Sequence, residues 1–185
     1  MGLPRKLKNF ILHVDGAGYA GEVPELTLPK LARKMEGYRG GGMGGEVKID
    51  MGQEPIEFEF TAAGMVRALL SGFGAITHDA LQLRFTGAYQ RDDTGQVEAV
   101  EVVVRGRHEE IDFGSQKPGD DTEMKFKTVC SYYKLTSNGS VAVEIDLINN
   151  LLVVDGTDRM ADIREALGIS GISGSINVGG LSLGF

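Results

Sequence analysis

The sequence predicts a mainly antiparallel β-fold with two short helices. Three observations carry that prediction. Apolar and polar residues alternate through most of the chain, glycine-containing turn dipeptides separate the alternating runs, and helical spacing is confined to two segments.

Residues 10–14, FILHV, form a first apolar run. Ile56, Phe58 and Phe60 then point one way while Glu57 and Glu59 point the other, the period of a half-buried strand. Residues 62–73 place Met65, Val66, Leu69 and Leu70 on one side of a helix. Leu81, Leu83 and Phe85 alternate with Gln82, Arg84 and Thr86. Over 97–107, Val100, Val102 and Val104 share one face, opposite Ala99, Glu101, Val103 and Arg105, a mixed surface of the kind that meets another subunit. Over 122–135, Met124, Phe126 and Thr128 alternate with Lys125 and Lys127, after which Val129, Cys130, Tyr132 and Tyr133 make both faces apolar or aromatic. Both sides are expected to be covered there. The last segment, 158–167, spaces Met160, Ile163 and Leu167 helically, with Thr157 or Asp158 as its cap and Gly168 as its stop.

Asp15-Gly16, Asp93-Thr94-Gly95, Asn138-Gly139 and Asp155-Gly156 supply residues that accept positive φ, so hairpins dominate the connectivity. The least domain-like stretch is 36–52, with seven glycines between two strand-like arms. Its composition fits a loose surface loop. It also fits a long hairpin arm that becomes ordered against a neighbouring copy, because Tyr38, Arg39, Met43, Val47, Ile49 and Met51 are contact-making side chains that a plain Gly/Ser linker lacks.

Length and charge narrow the function. The 185 residues suffice for one ordinary domain, and 42% hydrophobic with 24% charged residues is a globular composition. A formal charge of −7 lacks the basic footprint of a protein that grips nucleic acid through its phosphates. The apolar run after Arg5, Lys6 and Lys8 is shorter than the roughly 7–15 residues of a secretory h-region and is interrupted by His13. No window approaches the ~20 apolar residues of a spanning helix. The expectation is a soluble protein made in a cytoplasm, with no membrane partner and with its lone Cys130 as a buried thiol.

Catalytic and ligand motifs find little support. Gly16, Gly18 and Gly21 form GxGxxG after a strand, but Pro24 and the extended stretch 23–28 occupy the place of the helix that a dinucleotide site requires, leaving a Gly-rich hairpin turn. His13, His78 and His108 are scattered, the pattern of surface or core histidines, so no metal and no cofactor is expected. The carboxylate doublets Asp92-Asp93, Glu109-Glu110 and Asp120-Asp121 would face opposite ways on a strand, and no serine elbow or P-loop accompanies them. A binding or structural protein is favoured over an enzyme.

Several separate motifs occur in one order: PRKL at the N-terminus, TLPKLARKMEGYRGGGM at 27–43, VKIDMG at 47–52, FTGAYQRDDTG at 85–95, VEVVVRGRHEEID at 100–112, and CSYYKL through VEIDLIN at 130–149. Together, over about 4–168, they resemble the major tail tube proteins of contractile-tailed bacteriophages, the type named after phage P2, which includes the tubes of R-type pyocins.

That resemblance implies a β-sandwich or barrel-like subunit with one or two short flanking helices. Six copies form a ring, and rings stack into a hollow tube in the virion, assembled in the host bacterial cytoplasm. The implied partners are further copies of the chain, the tail sheath protein, the tape measure protein, the baseplate tube initiator and the tail terminator. DNA traverses the lumen without specific binding. A long loop that touches adjacent subunits or rings maps onto residues 26–49, including Leu26, Lys30, Arg33, Lys34, Glu36, Tyr38, Arg39, Met43, Val47 and Ile49. Six copies at −7 carry 6 × −7 = −42 per ring, a field that a narrow low-dielectric bore focuses. Glu57, Glu59 and Glu101, on the polar faces of strands, are candidates for the lumen; the alternative is that they form salt bridges or face outward. Asp162, Arg164 and Glu165, on the exposed face of the last helix, are candidates for the sheath side.

Residues 1–168 are thus expected to be the tube domain, and 169–185 an uncharged Gly/Ser-rich extension, flexible or ordered by a partner. A DNA-free bacteriocin tube is a close alternative. A small-ligand-binding β-barrel or a hydrolase is the competing class, and the Gly-rich arm has no evident use in either.

Overall fold

A computed structural model describes residues 2–169. Twelve strands run in chain order: β1 (Arg5–Val14), β2 (Ala17–Gly18), β3 (Glu25–Thr27), β4 (Arg33–Tyr38), β5 (Val47–Gln53), β6 (Ile56–Ala63), β7 (Leu81–Arg91), β8 (Val97–Asp112), β9 (Glu123–Ser137), β10 (Ser140–Asp146), β11 (Leu151–Val154) and β12 (Thr157–Asp158). A 3₁₀ turn at Arg67–Gly72 and a helix α1 at Ala161–Ala166 complete the described residues. Every pairing between named strands is antiparallel. The predicted fold class therefore stands.

The order β12-β11-β10-β9-β8-β7-β1-β2 forms the main sheet, and β3 and β6 join it along β9. Strand β9 serves two partners on one edge. From Glu123 to Cys130 it pairs with β6, and from Tyr132 to Ser137 with β10, while β8 accompanies it along the other edge. The handover falls at Ser131, which is skipped in the β8–β9 register between Gly106↔Cys130 and Arg105↔Tyr132. Such a bulge bends the strand and increases its twist. It lets a single long strand belong to two flanks.

The inward positions are those of the period-two reading. Ile56, Phe58 and Phe60 of β6, Leu81, Leu83 and Phe85 of β7, Val102 and Val104 of β8, and Met124 and Phe126 of β9 are buried in one core. Phe60 stacks on Phe126 with ring centroids 4.7 Å apart. Asp15-Gly16, Asn138-Gly139 and Asp155-Gly156 all take positive φ at both residues, as two-residue hairpins require. The first of these turns joins β1 to β2, so the Gly16-x-Gly18 element is part of a hairpin.

Both helices differ from expectation. The 62–73 segment stays in β6 through Ala63 and then forms only the 3₁₀ turn, with Leu69 buried and Met65 exposed. His108, itself buried, fixes this turn. Its Nε2 lies 3.1 Å from the Leu69 carbonyl and its Nδ1 2.8 Å from the Thr128 hydroxyl. A carbonyl only accepts, so Nε2 carries the proton and Nδ1 accepts from Thr128. In the second helix Ile163 and Leu167 are exposed, 49% and 64%, and Arg164 is the buried residue. Arg164 forms an ion pair with Asp158 and donates to the Asn150 carbonyl at 2.9 Å. Asp158 also accepts from the Met160 amide at 3.0 Å. With fewer than two turns available, one charged anchor outweighs the apolar stripe.

Candidate functional site

Strands β4 and β5 form a two-stranded sheet of their own. The register Glu36↔Ile49 and Tyr38↔Val47, with strand period two, gathers Tyr38, Val47, Ile49 and Met51 on one face, beside Glu36, which pairs with Lys34 at 3.2 Å. All four are about half exposed, at 55%, 49%, 45% and 54%. Gly37, Lys48, Asp50 and Met35 occupy the opposite face. At its base the hairpin is tied by Arg33 Nε to Asp50 at 2.9 Å, by Gln53 Nε2 to the Ala32 carbonyl at 2.9 Å, and by the Glu54 amide to the same carbonyl at 2.9 Å. At its tip the Gly40 amide donates to Met43 Sδ at 3.0 Å. The segment is thus an ordered hairpin with an apolar face.

The residues proposed for the arm separate into three groups. Arg33, Lys34, Glu36, Tyr38, Val47 and Ile49 belong to the hairpin strands, and Arg39 and Met43 to its tip. Lys30 is exposed in the lead-in segment. Leu26 lies off the arm: it is part of β3, pairs with Phe60 and packs against the core. Its short apolar neighbourhood gave no sign of that pairing partner.

The candidate lumen acids share the outward side of the main sheet, and two are ion-paired. Lys127 bridges Glu57 at 3.0 Å and Glu109 at 3.3 Å, and these bonds raise its pKa, the Glu57 bond most. Glu101 lies 3.7 Å from Arg84. Glu59 is exposed and lines an open groove of about 390 Å³ with Glu25, Glu110, Asp112, Lys125 and Lys127. Of the sheath candidates, Asp162 and Glu165 are exposed. Arg164 is corrected: buried against Asp158, it faces inward.

Two long strands of the main sheet, β1 and β6, keep most of one edge unpaired among the described residues. Strand β1 pairs with β7 on one side and meets β2 only at His13 and Val14 on the other. Strand β6 meets β3 only at Glu59, Phe60 and Thr61. Cys130 is a buried thiol pushed up to about 12 by desolvation. No group of three His, Cys, Asp or Glu side chains among the described residues is placed to hold a metal ion, and no helix among them is long and apolar enough to cross a membrane. The extension 169–185 lies, after Ile169, outside the described residues.

Comparison with known proteins identifies the family and supports the fold. The family model described as phage tail tube protein FII matches residues 4–168. The tail tube protein of Escherichia phage P2 is 45% identical over 172 residues, covering 91% of this chain and all of that protein. The major tail tube protein of Serratia phage KSP20 is 39% identical over 174 residues, covering 92% and 100%. Among solved structures, a sheath-tube complex of an extracellular contractile injection system aligns with a TM-score of 0.56 at 10% identity, over 72% of this chain and 92% of that one. The tube-terminating cap of the anti-feeding prophage aligns with a TM-score of 0.56 at 10% identity, over 74% and 93%. At those identities the structural matches speak for the fold alone. The sequence relatives settle the lineage: this chain belongs to the phage tail tube protein FII family, and it is a structural component of the virion, not an enzyme.

Proposed function

We propose that six copies of this chain close into a ring, that rings stack into the inner tube of a contractile tail, and that DNA leaves through the bore. The apolar face of the β4–β5 arm carries this reading. Tyr38, Val47, Ile49 and Met51 stand half exposed on an otherwise separate hairpin, and an apolar surface held away from its own body is matched by a neighbour's surface. The open edges of β1 and β6 fit the same assembly, because closure of a sheet into a barrel removes edges.

In this reading the outward side of β6, β7, β8 and β9 lines the bore. The pairs Lys127–Glu57 and Arg84–Glu101 cancel much of the local field, so the passing DNA responds to the summed charge, within a Debye length of about 8 Å of the wall. The sheath lies on the opposite side, with Asp162 and Glu165 as contacts. The tape measure protein occupies the tube before ejection, and the baseplate initiator and tail terminator bound its ends. Assembly takes place in the host cytoplasm.

Negative-stain microscopy of the purified chain tests the reading. Rings or tubes are expected, and Val47→Asp with Ile49→Asp is expected to give folded subunits that form neither. Isolated subunits at every concentration, or normal tubes from the arm variant, would reject it. Asp162→Asn with Glu165→Gln should leave bare tubes intact while impairing sheath assembly.

A further inference from the structure

An apolar groove of about 590 Å³ lies between the base of the arm and the last helix. Leu31 lines it from the arm side, Val143 and Leu152 from the sheet, and Met160 and Ile163 from the α1 side. That volume is in the range of sites that enclose a small organic molecule, so it accommodates a few side chains of a peptide. Of its three charged residues, Arg33 and Asp50 are bonded to each other and Arg159 is the third, and a docking segment without charged side chains would strand none of its own.

The exit of the chain from α1 is set by a cap. Gly168 takes a φ of +70°, its amide donates to the Glu165 carbonyl at 3.0 Å, and the Ile169 amide donates to the Arg164 carbonyl at 2.9 Å. These two bonds make a Schellman cap, which turns the chain back so that the second residue past the helix faces the third or fourth residue from its end. Ile169 thereby returns towards Ile163, a groove residue. The 16 residues after it, 170–185, contain no charged side chain. Leu181, Leu183 and Phe185 are spaced to share one side of an extended segment, and Ile176 and Val178 to share the other. Sixteen extended residues reach about 50 Å, ample for a groove that begins at the preceding helix. The match to the family ends at residue 168.

We infer that residues 170–185 dock in the groove between the arm base and α1 of their own subunit, covering the exposed apolar side of α1. This goes beyond the tube reading and does not depend on it. The chain has no tryptophan, so Phe185→Trp in the full chain places a single indole in the segment. Its emission should be that of a buried indole, should persist on dilution of the subunit, and should move to longer wavelength when Ile163→Asp, or separately Leu31→Asp, is added. Both groove positions are substantially exposed, and unfolding curves confirm that each variant folds. Water-exposed emission in the parent would overturn the inference. So would buried emission indifferent to both groove variants. Burial lost on dilution, or restored to an Ile163→Asp chain by mixing with tryptophan-free subunits, would identify a second copy as the host and overturn it as well.

Discussion

Gly106 of β8 faces the Val129 carbonyl of β9 so closely that a side chain has no room. A Cβ at that position would sit 2.9 Å from the Cys130 Cα and nearer still to the Val129 oxygen. The obstacle is backbone, at the place where β9 passes from β6 to β10, and it cannot swing aside as a side chain does. Gly106→Ala is expected to lower stability by about 2–3 kcal/mol, the upper range for overpacking. Chemical denaturation with an unchanged m-value checks this, and a loss within 0.5 kcal/mol, the ordinary range of a surface change, would refute it.

Asp158 and Arg164 hold α1 to the sheet. The side chains are 19% and 7% exposed, so removing the carboxylate leaves a guanidinium with little water. Asp158→Ala should cost about 3 kcal/mol, and Arg164→Met added to it should recover part of that loss. The bond to Arg164 is the main reason the Asp158 pKa is lowered from 3.8. Its contribution to stability is therefore complete above that value and declines as pH falls below it. In Asp158→Asn the acid-limb decline in thermal unfolding measured across pH should be smaller, the remainder coming from Asp93 and Asp50, whose pKa values are also lowered by arginine partners.

His108 predicts a second, separate pH limb. Burial lowers its pKa from 6.5, opposed by the Leu69 carbonyl and the charge of Asp15. The unfolded chain takes up a proton first, so stability is complete above pH 6.5 and declines as pH falls from there. His108→Gln should flatten the profile over that interval. Amide exchange should also accelerate in the Arg67–Gly72 turn, which the imidazole anchors through Leu69.

Lys127 is expected to set the electrostatic tone of the bore. Its ammonium is shared by Glu57 and Glu109. Glu57→Gln combined with Glu109→Gln should remove both ion pairs of Lys127 and make the outward face two charges less negative, with Glu59 and Glu110 still lining its groove. In assembled particles the double variant should eject DNA more slowly at low salt and approach the parent rate at high salt, because the difference in charge is screened. Equal rates at every ionic strength would place this face away from DNA.

Short-range patterns in the sequence predicted most of the molecule. Alternation placed Ile56, Phe58, Phe60, Leu83 and Val102 in the core, because period two depends only on next-but-one neighbours. The arm was visible for the same reason: glycines mark its tip, and Tyr38, Val47 and Ile49 fall on one face. Features set by distant partners were not visible. The imidazole of His108 meets a carbonyl 39 residues away, and Leu26 finds Phe60 across an intervening hairpin. The inward turn of Arg164 was hidden by an apolar spacing that a six-residue helix does not obey. The handover at Ser131 left one trace, the change from one apolar face to two after Thr128, which marks where β9 exchanges partners.

The β4–β5 hairpin is joined to the body by a few bonds at its base, and its apolar side contributes little to the core. A single copy carries this side about half in water, and in the proposed tube a neighbour covers it. There, a neighbour that binds the folded subunit adds to its stability, so the unfolding midpoint should rise with subunit concentration.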